Sequence, residues 1–174
     1  QGSICAASAH ARRKFSSDIS FVGSLYTEKC PYDRLDNPPD YLLGYLNGLM
    51  EAQLRIYGGF LVEDLLTDEM VEEFKAHLPG FFTYPFDSYL TDKKTTAQLY
   101  IGSKISAMER LRVMELLSAR FAVDLYTASD TSSLPHVRNC GLAKTLEEMP
   151  IIFHNSKINL NITSKPIRSG LPLR

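Results

Sequence analysis

Apolar and polar positions alternate along this chain with two different periods. Ile19-Ser20-Phe21-Val22-Gly23-Ser24-Leu25 is a short β-branched and aromatic run that reaches Gly-Ser, the pattern of a buried strand feeding a turn. From Tyr41 to Tyr57 the period lengthens: Leu42, Tyr45, Leu46, Leu49, Met50 and Leu54 recur at helical spacing until Gly58-Gly59. A second helix is expected from Thr67 as N-cap, with acids in its first turn, Met70, Val71, Phe74 and Leu78 on its apolar side, and Pro79-Gly80 at its end. Residues 81–89 are aromatic and Pro-interrupted, which suits a packed connector. Thr91-Asp92 opens a long helical region to about Arg120, with Gly102-Ser103 as a kink or a division. Its later part carries Ile105, Met108, Leu111, Met114 and Leu117, a face broad enough to cover a sheet.

Strand character returns at Phe121–Tyr126 and at a short run, His136-Val137-Arg138. A short helix is expected over Leu146–Asn155, and Lys157-Ile158-Asn159-Leu160-Asn161-Ile162 alternates as a last strand. Strands separated by helices pair in parallel, with helices on both faces. The expected architecture is therefore α/β: an incomplete Rossmann-like parallel sheet with a helical insertion, about residues 40–80, after the first strand. Residues 1–3 read as the remnant of an engineered protease site, 4–17 as a connector or first helix, and 18–174 as the truncated domain. The closing Gly-Leu-Pro-Leu reads as a loop opening a helix that the chain does not contain, so the chain reads as an excised piece of a longer protein.

Composition narrows the classes. A chain of 174 residues with 44% hydrophobic and 22% charged residues is ordinary for one globular domain. Nineteen Lys and Arg against 20 Asp and Glu give a net charge of −1, which offers no basic field for nucleic acid. Mean hydropathy is −0.13 and no apolar run is long enough to span a bilayer. The three cysteines form no CxxC pair, which argues against a disulfide framework or a zinc site and fits a cytoplasmic setting. The four histidines have no metal spacing.

In an open parallel sheet, ligands sit beyond the carboxyl ends of the strands. That singles out Gly23-Ser24, Thr127-Ala128-Ser129-Asp130 and Asn161-Ile162-Thr163-Ser164, all small and polar. They suit a phosphate or nucleotide crevice, while each loop taken alone reads more simply as ordinary turn chemistry. No GxGxxG and no Walker loop occurs, so hydride transfer and ATP hydrolysis have no support.

Phe21-Val22-Gly23-Ser24-Leu25-Tyr26, then Lys157–Thr163, then Gly170-Leu171-Pro172-Leu173-Arg174, taken in order, resemble bacterial CgeB-like glycosyltransferases of the spore maturation protein B type. The resemblance runs from about residue 18 to the end. It is nearest to the uncharacterised domain that accompanies the glycosyltransferase segment. It implies one half of a GT-B fold, with a nucleotide-sugar as substrate and no metal or other cofactor. It implies donor and phosphate contacts from Gly23, Ser24, Thr163, Ser164, Gly170 and Arg174. Thr127, Ser129 and His154 are candidates for the nucleotide side, although His154 reads more simply as capping or packing at its helix end. Lys29 and Lys165 are further phosphate candidates that read more simply as surface lysines. No catalytic residue is assigned, and the carboxylate expected after Arg174 lies beyond the chain's end. The expected partners are the sugar donor and the remainder of the parent chain. The other reading left open is a non-catalytic interaction module, a homodimer for example, that docks through residues 41–78.

Overall fold

The computed structural model describes residues 13–28, 30–85 and 88–167, which fall into two compact units. The first comprises residues 13–28 and 110–162, the second residues 30–109 and 163–167.

The first unit carries a parallel sheet of four strands: β1 (Ser17–Val22), β2 (Val123–Tyr126), β3 (Val137–Asn139) and β4 (Ser156–Asn159), in the order β3-β2-β1-β4. In register, Ile19 lies beside Val123 and Ile158, and Ser20 beside Asp124 and Asn159. Val123 lies beside Val137 and Asp124 beside Arg138. Alternation along the strands then makes two unlike faces. One face carries Ile19, Phe21, Val123 and Leu125. It is covered by Leu111, Met114 and Leu117 of helix α5, whose full range, Gly102–Ser118, begins in the second unit. The other face carries Val22 and Tyr126 and is covered by Ile151, Ile152 and Phe153 of α6 (Met149–Asn155), with Phe15 beside them. The expected parallel α/β sheet with helices on both faces is therefore present. Its strand order is that of an incomplete Rossmann-like fold.

The strand ends differ from expectation for traceable reasons. β1 starts at Ser17 because its polar beginning has partners on β4: the Ser17 and Ser156 hydroxyls are 3.1 Å apart and Lys157 Nζ reaches Asp18 at 2.6 Å. It leaves the ladder after the Gly23 N–H donates to the Tyr126 carbonyl. β4 stops at Asn159, three residues before the expected end. Leu160 N–H still donates to Ser20 O, but beyond it the backbone turns away.

The second unit is helical among its described residues. Helix α1 (Asp40–Arg55) buries Leu42, Leu46, Leu49 and Met50, and α2 (Val62–Leu65) follows it. Helix α3 (Asp68–Ala76) has the expected Thr67 N-cap, whose hydroxyl accepts from Met70 N–H. Helix α4 (Asp92–Thr95) leads through a π-helical stretch, Thr96–Ile101, into α5. Ala97, Tyr100, Ile101 and Ile105 join Leu46, Met50 and Phe74 in one core. The excursion after β1 thus occupies residues 30–109, well beyond the expected 40–80, because residues 97–105 pack with it and not with the sheet. The expected division falls at Gly102, where the π-helical stretch ends and α5 begins. A Cβ there would run into the ring of Pro166, so the position is kept bare by a close approach. Phe81 stacks on Tyr100 at 5.1 Å, while Phe82 and Tyr89 are exposed. Residues 1–3, with most of the expected first helix, lie outside the described residues, as does Phe86.

Gln53 closes the turn that follows α1. It is wholly buried; its Nε2 donates to Ile56 O (3.2 Å) and Gly59 O (3.0 Å), and its Oε1 accepts from Leu61 N–H (2.7 Å). Gln53→Ala should destabilise the protein by about 2–3 kcal/mol, since it leaves three backbone groups unpaired in the interior. Urea unfolding followed by circular dichroism checks this, and a loss below about 0.5 kcal/mol would deny Gln53 that role.

Candidate functional site

Strand order reverses beside β1: the chain passes from β1 to β2 and β3 on one side and returns to β4 on the other. In such sheets the loops leaving the two strands at the reversal part from each other and frame a crevice. Here those loops are the Gly23-Ser24-Leu25-Tyr26 turn after β1 and residues 160–162 after β4.

Arg110, on α5, holds both loops. Its Nη1 donates to Ser24 O at 2.6 Å and its Nη2 to Ile162 O at 2.8 Å, with the residue only 1% exposed. Its guanidinium lies 4.3 Å from the Tyr26 ring centroid and 5.5 Å from that of Phe21. Tyr26 takes a left-handed backbone conformation, φ 64°, to lay its ring there. For a residue with a Cβ that conformation costs about 1–2 kcal/mol. A desolvated cation–π contact of about 2 kcal/mol, with the hydrogen bond from Tyr26 N–H to Ser24 Oγ at 2.8 Å, offsets it.

The turn after β2 is built around Ser129. Its Oγ accepts from Leu25 N–H at 2.9 Å, its N–H donates to Thr127 Oγ1 at 3.0 Å, and its carbonyl receives Asn139 Nδ2 at 3.4 Å. Hydrogen bonding to Ser129 also holds the Glu28 carboxyl below the usual carboxylate range. Gly23, Ser24, Thr127 and Ser129 therefore converge at one edge of the sheet, as the sequence reading expects. Their amides and hydroxyls mostly satisfy one another there.

Of the described candidates in the first unit, His154 stands apart from them. His154 is exposed near the end of α6, directly before β4 begins, at the amino edge of the sheet. Thr163 and Ser164 belong to the second unit. There Thr163 Oγ1 is buried without a hydrogen-bond partner, and the Ser164 hydroxyl is 2.7 Å from that of Ser106. Lys165 is not a solvated lysine. It pairs with Glu109 at 2.9 Å, both side chains largely buried, and lies 3.9 Å from the Tyr57 ring centroid. Lys29, Gly170 and Arg174 lie outside the described residues. Sequence reasoning missed Arg110. Its signal was a charged residue on the same helical stripe as Ala107, Leu111 and Met114, where a side chain must be buried.

Among the described residues, no group of three or more His, Cys, Asp or Glu is placed to hold a metal ion, and no helix is long and apolar enough to cross a membrane. No family model, curated protein or solved structure matches the chain.

Arg110→Ala should cost about 3 kcal/mol, because it removes two charge-assisted hydrogen bonds and strands two loop carbonyls. Arg110→Lys should recover less than half, since an ammonium cannot fork to both. Denaturant unfolding of the two variants checks this, and equal stability of Lys and Arg would show that the fork is dispensable.

Proposed function

We propose that this chain supplies part of the donor site of a glycosyltransferase, binding the diphosphate of a nucleotide-sugar at the strand-order reversal. The observation that supports the reading is that Gly23, Ser24, Thr127 and Ser129 meet at the carboxyl edge of a sheet ordered β3-β2-β1-β4, with a guanidinium beneath the turn. The chemistry is transfer of a glycosyl group to a hydroxyl, and the task is to stabilise the departing nucleoside diphosphate. Amides and basic side chains do this without a metal when they are aimed at the developing charge. In this proposal Gly170 and Arg174 meet the phosphates.

A second reading rests on Tyr57, Phe82 and Tyr89, exposed aromatics of the helical unit, which suit docking to another protein surface. It expects a dimer in light scattering and no effect of nucleotide on melting.

Calorimetry of this chain with uridine, guanosine, adenosine and cytidine diphosphates tests the first reading. At least one should bind, and Arg174→Ala should weaken it by about 1–3 kcal/mol, or about 5–150-fold. Absence of binding by all four, or an unchanged affinity in the variant, counts against the donor site.

A further inference from the structure

The α6-covered face of the sheet holds a cavity of about 360 Å³, at the small end of the range for small-molecule sites. Its lining includes Lys14, Phe15, Tyr126, Arg138, Cys140 and Glu148, all in the first unit. We propose that this cavity binds a small aromatic carboxylate, with the ring against Phe15 and Tyr126 and the carboxylate between Lys14 and Arg138. The proposal is independent of the donor-site reading, because the cavity and Arg110 serve opposite faces of the sheet.

The apolar part of the argument is geometric. The Phe15 and Tyr126 rings are both buried, 6.3 Å apart and tilted by 43°, which leaves a planar body the option of an edge or offset contact.

The polar part is a donor and acceptor count. Arg138 gives Nε and Nη2 to the two oxygens of Asp124, a carboxylate 2% exposed on the adjoining strand. That bidentate pair fixes the guanidinium plane. Arg138 also shares a side-chain hydrogen bond with Cys140, and its side chain is 61% exposed, so the fixed guanidinium still presents its charge to the cavity. Lys14 Nζ has one long contact, 3.4 Å to Glu148 Oε1, and lies 4.7 Å from the Phe15 ring centroid. Glu148, the only carboxylate among the described lining residues, already accepts from Lys14 and, through Oε2, from Lys144 N–H at 3.0 Å. Burial pushes the Tyr126 hydroxyl and the Cys140 thiol upward, so both stay protonated near neutral pH. Among the described lining residues, Lys14 and Arg138 are cationic and the one carboxylate, Glu148, is already partnered, an electrostatic setting complementary to a ligand whose polar end is anionic.

Cys140 gives a direct readout, since it is an exposed free thiol in the lining. The experiment follows its alkylation by iodoacetamide with peptide mass mapping, which separates Cys140 from Cys5 and Cys30. The probes are 2-naphthoate, its neutral counterpart 2-naphthylmethanol, and uridine diphosphate. Naphthoate at saturation should slow alkylation of Cys140 by about fivefold or more, with the alcohol and the nucleotide each changing it less than about twofold. Lys14→Glu, at an exposed position, should erase the naphthoate effect. Leu142→Asp, which sets a carboxylate at the rim, should do the same, and melting curves check that both variants fold. The proposal is overturned if naphthoate gives no protection or if the alcohol protects equally. It is also overturned if only the nucleotide protects, which makes the cavity part of a nucleotide site, or if both folded variants keep the effect.

Discussion

A guanidinium with 1% of its surface exposed must have its N–H groups met inside the protein, or it carries a large desolvation penalty. Arg110 meets two of them with the carbonyls of Ser24 and Ile162. The loops that those carbonyls belong to leave strands on either side of the reversal in strand order, so topology separates them and the side chain ties them together. Two oddities follow from that tie. The carbonyl of Ile162 is turned to the arginine, which is incompatible with a β4 that continues along β1 through residue 162. Tyr26 accepts a backbone conformation that few aromatic residues adopt, because only there does its ring cover the cation.

The two faces of the sheet obey different rules. Parallel sheets are covered on both sides and their strands usually read as continuous apolar runs. Here one face is apolar, while the other carries Asn159, Ser20, Asp124 and Arg138 in a single row across all four strands. Ser20 Oγ donates to Asn159 Oδ1 at 2.6 Å, and Asp124 takes the fork of Arg138. A slip of one residue in any pairing would send these groups into the apolar core and bring Ile19 or Val123 into their place. The row therefore fixes register as firmly as the hydrophobic contacts do. It also explains why residues of poor strand propensity, Asp124 and Asn159, sit in strands at all.

The same row explains what could be read from the residues. Phe21, Val123 and Leu125 announced their strands because apolar and β-branched residues leave few alternatives. The β1 start at Ser17-Asp18 was hidden, because its stabilising partners, Ser156 and Lys157, lie about 139 positions away in sequence and only pairing shows them. The helix caps at Thr67 and Thr91 were legible, since a cap is a local hydrogen bond. The extent of the excursion was not. Helix α5 reads as one apolar stripe, yet Ile105 packs in one core and Met114 in another, and periodicity does not distinguish two cores on one helix. At the carboxyl edge the small polar turns were legible as a group. Arg110 was not legible because helical periodicity is carried by the apolar members of a stripe, while the informative one was the charge among them.

The internal saturation of that edge sets a condition on any anion that binds there. Gly23 N–H already donates to Tyr126 O, Leu25 N–H to Ser129 Oγ, and Tyr26 N–H to Ser24 Oγ. A phosphate that takes one of these amides exchanges a hydrogen bond and does not fill a vacancy. Each exchange therefore yields only the difference between a charge-assisted bond and a neutral one, about 1 kcal/mol. Discrimination in favour of an anion must then come from fixed positive charge near the turn and not from a preformed cradle of free amides. Arg110 is such a charge at this edge, and it lies beneath the ring of Tyr26. The guanidinium lies 4.3 Å from the centroid of that ring, so the charge at this edge is covered by the one left-handed aromatic residue in the turn.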